Sequence, residues 1–402
     1  MTDVPISTAR ALASGLRAYP RDFYLLLLAT LLLFANLHVV LPVLPLYVEQ
    51  IGRPSDVGLV IGAASLGALV SRPLVSRWVD TLGRRPVLLS GSAVFVSASL
   101  LYGWSPSIPL LVPIRLLHGF GITLFTGAYA AFAVDLSPAG RRGEALGMAG
   151  LSFPVSLLFV PTLGVALLQA AGFIPVFLAA ALAAAAAGGV LLVMREPPHN
   201  PGERGQGRGF WQVLRAPGVR SVALLRLAMG VSFGAILAFL PLFVIERGLG
   251  NTGLFFSAYG LALLMIPVPA GRISDRVGRP AVIGAGTTVA ALALALLSGL
   301  GAVQDMIILG LIFGGGFGGA RVALDAHVAD SVVAQERGTA FGAVFAAFDL
   351  GIGVGSLLLG LLAGALGYAN LYLLAGILFG MAGAVTVFLI RRETRLTAEP
   401  AS

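Results

Sequence analysis

From residue 23 to residue 390 the chain is a succession of long apolar runs, each bounded by Gly, Pro or charge. The runs lie at 23–47, 57–75, 87–104, 109–134, 145–168 and 173–194, then at 221–245, 252–270, 281–300, 306–328, 339–366 and 369–390. About 20 apolar residues in a helix cross a hydrocarbon layer. Lipid offers the backbone no hydrogen-bond partner, so such runs are expected to be helical. Only 11% of the 402 residues are charged and 57% are apolar, against about a quarter charged in soluble domains. No soluble core can be fitted to that composition. The expected fold is all-α and integral to the membrane, with twelve transmembrane helices in two pseudo-symmetric six-helix bundles.

The basic residues orient this array. All 26 are Arg, and 20 of them fall in the two tails and the even-numbered loops. The opposite loops hold Arg53 and Arg247, while Arg72, Arg115, Arg226 and Arg321 lie inside runs. Basic residues near span ends are retained on the cytoplasmic side, so both termini are expected there, in a bacterial-type inner membrane. The head carries Arg10 and Arg17; the first run is too long for a signal-peptide core and no small-residue cleavage site follows it. The parts are then a tail at 1–22, a bundle at 23–194, a linker at 195–220, a second bundle at 221–390 and a tail at 391–402. The linker is polar up to residue 209; 210–214 is expected in the membrane interface, with Trp211 at headgroup depth. The Ala-rich 179–189 run reads as a packing helix.

Composition also excludes functions. The net charge of +8 sits in loops, with no basic face interleaved with aromatics, so nucleic acid is not an expected partner. Cysteine is absent, which removes disulfides, thiolate metal sites and cysteine nucleophiles; no metal or cofactor is expected. There is no phosphate-binding P-loop, because the 314–319 glycine run follows no strand and has no Lys. Nothing points to an enzyme or an ATP-driven pump.

Shifting the chain by 195 residues aligns Asp80 with Asp275, Gly83 with Gly278, Arg84 with Arg279, Asp135 with Asp330 and Arg142 with Arg337. Gly147 and Gly342 pair at the same offset. Asp and Arg are rare here, so matched charges carry more weight than matched glycines. The chain reads as a duplicated six-span unit.

Two parallel halves joined by a cytoplasmic linker form a transporter architecture. The loop after the second run reads SRWVDTLGRRP at 76–86, and its counterpart reads GRISDRVGRP at 271–280. Both resemble the hallmark loop of the major facilitator superfamily, Gly-x-x-x-Asp-Arg/Lys-x-Gly-Arg-Arg/Lys. Ser76 and Thr81 depart from it in the first copy, Pro280 in the second. The resemblance implies a conformational latch formed by Asp80, Gly83, Arg84, Arg85, Asp135 and Arg142, with Gly271, Asp275, Arg276, Gly278, Arg279, Asp330 and Arg337 in the other half. Arg84 is placed to pair with Asp135, and Arg279 with Asp330. Such latches are expected to hold an outward-open state and to break as the halves rock; ordinary charge anchoring is the alternative.

Other stretches resemble motifs of the twelve-span drug:proton antiporters. Residues 113–125, PIRLLHGFGITLF, resemble the family's Arg-x-x-x-Gly-x-Gly motif, with His118 at a position commonly Gln. Gly147, Pro161 and Gly164 match part of the antiporter motif, and Gly342, Gly351 and Gly355 repeat its glycine spacing. Close helix packing is the alternative role for these small residues. Pro42 to Pro45 resembles the first-span motif, without the acid those exporters often carry there.

Polar groups at membrane depth are the candidate cavity set: Asp349, Arg115, His118, His38 and Asn36. A charge at that depth is expensive and is expected to face a cavity or a partner. Arg115 is expected in proton coupling or anionic-substrate contact, or else in a structural ion pair. His38 could serve the cavity or be satisfied by a neighbouring carbonyl. Asp349 suits a group that loads and releases protons, because low dielectric penalises its charged form; a helix-bend cap is the other reading. Arg321 and Asp325 are spaced for a local ion pair, and Arg226 is expected to snorkel to the interface. The expected function is proton-coupled export of small molecules by alternating access, with the proton gradient as energy source and substrate, protons and bilayer as partners. Import or uniport of a sugar, amino acid or organic anion is one alternative; a lipid translocator or membrane receptor is another. Oligomeric state stays open, a monomer being compatible.

Overall fold

A computed structural model describes residues 19–197 and 210–398. Parts of the expected tails and linker, Arg10 and Arg17 among them, lie outside the described residues. Among those described, every regular element is a helix. They are α1 (Arg21–Val40), α2 (Val43–Ile51), α3 (Pro54–Thr81), α4 (Arg84–Gly103), α5 (Ile108–Asp135), α6 (Arg142–Ala171) and α7 (Phe173–Val193). After the linker come α8 (Phe210–Arg215), α9 (Pro217–Glu246), α10 (Gly253–Met265), α11 (Pro267–Val277), α12 (Arg279–Leu296), α13 (Val303–Ser331) and α14 (Arg337–Ala398). Among the described residues ten helices are long and apolar enough to cross a membrane, or eleven when α10 and α11 count as one bent span. Within α14, Gly367 is non-helical (φ 71°, ψ 160°) and separates two helical segments, at the boundary the sequence places between 339–366 and 369–390. In α8 Trp211 is exposed and Val213 is buried.

The sequence predicts the first and eighth spans as single helices, and the structure breaks both. Pro42 has no N–H for the carbonyl of His38, and Pro45 none for that of Leu41, so α1 gives way to α2 through a turn. Pro267 and Pro269 likewise have no N–H for the carbonyls of Leu263 and Met265, and α10 meets α11 at 51°. The helices also run past their apolar stretches: α6 begins at Arg142, before the expected start at 145. Apolar side chains such as Leu163, Leu182 and Phe388 are more than 60% exposed. Bare apolar surface of this kind suits lipid rather than water.

Packing obeys the repeat. Within the first half α1 packs on α6 and α7, α3 on α5, and α4 on α5 and α7; in the second, α9 and α12 pack on α14 and α13 on α10 and α12. Between halves α3 packs on α14 and α6 on α10. Those two contacts exchange under the duplication, because α3 corresponds to α10 and α6 to the first part of α14.

The closest backbone approaches between the halves lie toward one end. A Cβ on Gly62 of α3 would lie 2.7 Å from the Gly353 carbonyl oxygen of α14, and one on Gly260 of α10 would lie 2.8 Å from the Leu158 nitrogen of α6. Thr162 and Ser257 hydroxyls are 2.7 Å apart, and the Asn251 amide donates to the Thr162 carbonyl at 3.1 Å. All of these lie toward the end that carries Arg53 and Arg247. Toward the Arg-rich end, by contrast, Gly143 and Gly147 of α6 and Gly338 and Gly342 of α14 face open space.

Candidate functional site

A cavity of about 210 Å³ lies between the halves. The first half contributes His38, Ser65, Arg115 and His118, the second Phe233 and Asp349; Leu41, Ile61, Phe153 and Ile352 are among the apolar walls. Four of the five residues expected at a cavity therefore share one.

His38 sits on the last turn of α1, just before the proline break. Its Nδ1 is 2.9 Å from Ser156 Oγ of α6, and its ring packs against Phe34 and Phe153, with centroids 5.8 and 5.0 Å away. Its partner is thus a hydroxyl, not the neighbouring carbonyl allowed for above. Arg115 and His118 lie one turn apart on α5 and are joined through Tyr102 of α4. Arg115 Nη1 donates to the Tyr102 hydroxyl at 3.2 Å, which in turn lies 2.7 Å from His118 Nδ1. Arg115 Nε donates to the Val60 carbonyl at 3.3 Å. His118 Nε2 is buried without a hydrogen-bond partner among the described residues.

Asp349 makes an ion pair across the halves. Arg72 of α3 donates to its Oδ2 from Nε at 3.0 Å, and from Nη2 as well. The pair stands on the Arg-rich side of the cavity, with 29% of the Arg72 side chain and 17% of the Asp349 side chain exposed. This replaces the helix-bend cap as the structural alternative for Asp349. The duplication carried a signal for the pairing: at the 195 offset Arg72 meets Pro267 and Asp349 meets Pro154, so both are charges confined to one half.

Asn36 is not at the cavity. Its amide donates to Ser99 Oγ and to the Ala180 carbonyl, both at 2.8 Å, which ties α1 to α4 and α7. Its depth in the span suggested a cavity group, but it faces the opposite way, into its own bundle. Two further expectations fail at α9. Arg226 is 2% exposed and pairs with Asp325, so it neither snorkels nor leaves Asp325 to Arg321. Placement between α9 and α13 favours the interhelical partner over the one on the same helix. Arg321 is exposed, and His327, further along α13, is half-buried with Nε2 unpartnered among the described residues.

The hallmark loops are built alike. Gly83 and Gly278 adopt φ of 97° and 93°, a conformation that side chains disfavour. Arg84 Nε lies 2.8 Å from Asp135, and Arg279 Nε lies 3.3 Å from Asp330 while Nη1 pairs with Asp275. The backbone N–H of Arg84 donates to Glu196. Arg85 donates to the Leu191 carbonyl at 2.8 Å and the Leu192 carbonyl at 2.6 Å, so it satisfies the free end of α7. Asp80 occupies the last turn of α3. Arg142, Arg276 and Arg337 are exposed and form no ion pair among the described residues, and a Cβ on Gly271 would lie 3.9 Å from Val322 Cγ1. Both Arg–Asp pairs are intact although the adjacent end of the molecule is open. Each joins partners of the same half.

The small residues divide by depth. A Cβ on Gly164 would meet the Val39 carbonyl oxygen at 2.9 Å, and one on Gly355 the Val231 Cα at 2.6 Å; Gly351 is packed as closely on Leu227, and Pro161 backs Gly253 of α10. These are helix-crossing points. Gly147 and Gly342 are not.

The fold and cavity define a polytopic helical membrane transporter. A model described as Major Facilitator Superfamily matches residues 26–266 and 249–402, and the chain belongs to that superfamily. Its members are transporters rather than enzymes, which implies a small-molecule substrate and a bilayer. An MFS-type transporter of Salmonella typhimurium is 27% identical over 377 residues, 91% of this chain and 95% of that protein. Multidrug resistance protein 1 of Bacillus subtilis is 26% identical over 184 residues, 45% of this chain and 47% of its own. Among solved structures, a bacterial homologue of the human lysosomal transporter Spinster, inward-facing and occupied, aligns with TM-score 0.78 at 14% identity, over 92% of this chain and 96% of that one. The human organic anion transporter MFSD10 aligns with TM-score 0.69 at 18% identity, over 92% and 99%.

Proposed function

We propose that the chain is a secondary active transporter that couples export of small molecules to proton entry. The observation that carries this reading is the Arg72–Asp349 ion pair, which joins the two halves beside the cavity. Protonating Asp349 removes the charge that Arg72 holds. Such a change alters the relative energy of states in which the halves are arranged differently, and only a ligand with that differential effect can drive alternation. The Bacillus multidrug resistance proteins among the relatives support export as the direction.

The reading takes α14 as two crossings divided at Gly367, which gives twelve spans with both termini cytoplasmic. The Arg-rich end is then cytoplasmic, and the arrangement described is open to the cytoplasm. On this reading the Arg72–Asp349 pair marks the state that awaits substrate. The latch pairs act by holding each hallmark loop rigid on its own half.

The test is efflux from loaded proteoliposomes under pH gradients of both signs. Export driven by proton entry predicts active efflux only when the trans side is acidic. Active movement in the same direction as the proton would instead identify an importer.

A further inference from the structure

Charges inside the membrane do not balance, and the imbalance lies along the path between the halves. The spans contain four arginines, Arg72, Arg115, Arg226 and Arg321, and two acids, Asp325 and Asp349. Both acids are taken: Asp349 by Arg72 and Asp325 by Arg226. Arg115 and Arg321 have no acidic partner among the described residues.

One surplus cation faces the route, and the other is exposed. Arg115 lines the cavity. Its recorded hydrogen bonds run to two neutral acceptors, the Val60 carbonyl and the Tyr102 hydroxyl. A guanidinium has five N–H donors, so it keeps capacity for the paired hydrogen bonds of a carboxylate. Arg321 is exposed on α13, one turn before the Asp325 that Arg226 holds. A cationic substrate would find no open acid and would have to displace a paired arginine. An anion would relieve a cost that Arg115 otherwise bears at membrane depth.

We propose that the substrate is a small amphipathic organic anion, whose charged end is held by Arg115 while its apolar body lies against Ile61, Phe153, Phe233 and Ile352, with Arg321 drawing it in from the open end. The proposal rests on reading the cavity as the substrate site, but not on proton coupling. Outward movement of an anion and inward movement of a proton both carry positive charge inward, so such an exchange would draw on membrane potential as well as on the pH gradient.

The experiment is equilibrium binding to the purified full-length protein, with no gradient, read by thermal shift and then by titration. The probes are matched carboxylate, carboxamide and amine forms of aromatic and alkyl scaffolds; indole-3-acetate, indole-3-acetamide and tryptamine are one such set. The expected result is stabilisation by carboxylates over their amide and amine counterparts, with Kd weakened about tenfold to hundredfold in Arg115→Gln and partly recovered in Arg115→Lys. Arg321→Gln is expected to slow association and flatten its salt dependence, with a smaller change in Kd. Amines binding as well as carboxylates, no carboxylate of the panel binding, or carboxylate affinity unchanged in Arg115→Gln would overturn the proposal. Binding measured without a gradient does not depend on coupling, so failure of proton-driven transport and failure of the anion site are separate results.

Discussion

Arg72 and Asp349 are 277 residues apart in sequence and meet across the boundary between the halves, the Arg72 Nε 3.0 Å from the carboxylate. The contact lies between the closed end, where glycine faces carbonyl, and the open end, where Gly147 and Gly342 have no neighbour. A change of charge at this point is felt by both halves at once. If the pair joins the halves as described, the exchange Arg72→Asp with Asp349→Arg recovers part of the stability that either single change removes. A double-mutant cycle on thermal stability is expected to give a coupling of about 0.5–3 kcal/mol; additive effects would show that the two side chains act independently.

Closure at the opposite end depends on glycine. At Gly62 the Gly353 carbonyl leaves no room for a Cβ. Gly62→Leu is therefore expected to prevent this closure and to shift the protein toward the state open at that end. The chain has no cysteine, so a cysteine introduced at Gly342 reports directly. Its labelling from the Arg-rich side is expected to fall in Gly62→Leu; unchanged labelling would show that Gly62 does not govern closure.

The turns at Gly83 and Gly278 make a second comparison. Each adopts a φ that suits glycine, and Ala at either is expected to cost about 1–3 kcal/mol. Ala at Gly83 is expected to be the worse, because its Cβ would also meet the Glu196 carboxylate at 2.6 Å, whereas at Gly278 the nearest contact is Pro280 at 3.9 Å. Melting temperatures of the two variants decide the order.

Arg226 and Arg321 test buried against exposed charge on neighbouring helices. Arg226→Ala leaves Asp325 without its partner and is expected to cost about 3–5 kcal/mol. Arg321→Gln breaks no ion pair and is expected to leave the melting temperature nearly unchanged. Equal effects would contradict the assignment of Asp325 to Arg226.

Much of the fold was legible because hydropathy and matched charges act locally. The apolar runs located the spans to within a few residues, and the 195-residue offset identified the chain as a duplicated unit. The breaks at Pro42 and Pro267 were missed because hydropathy does not register a lost N–H. Side-chain direction was harder. Asn36 and Arg226 sit at depths that suggested cavity and interface, yet both turn into their own bundle, where Ser99 and Asp325 receive them. Arg72 went unpaired in the sequence because ion pairing between distant helices depends on how the halves dock. Its confinement to one half, shared with Asp349, was the available signal.

The most direct measurement is transport by proteoliposomes under an imposed pH gradient, comparing wild type with Asp349→Asn. The account predicts that wild-type export rises as the trans side is acidified, and that the variant inserts normally, retains downhill flux and loses its response to the gradient. Gradient-driven export by Asp349→Asn with the wild-type pH profile would contradict it.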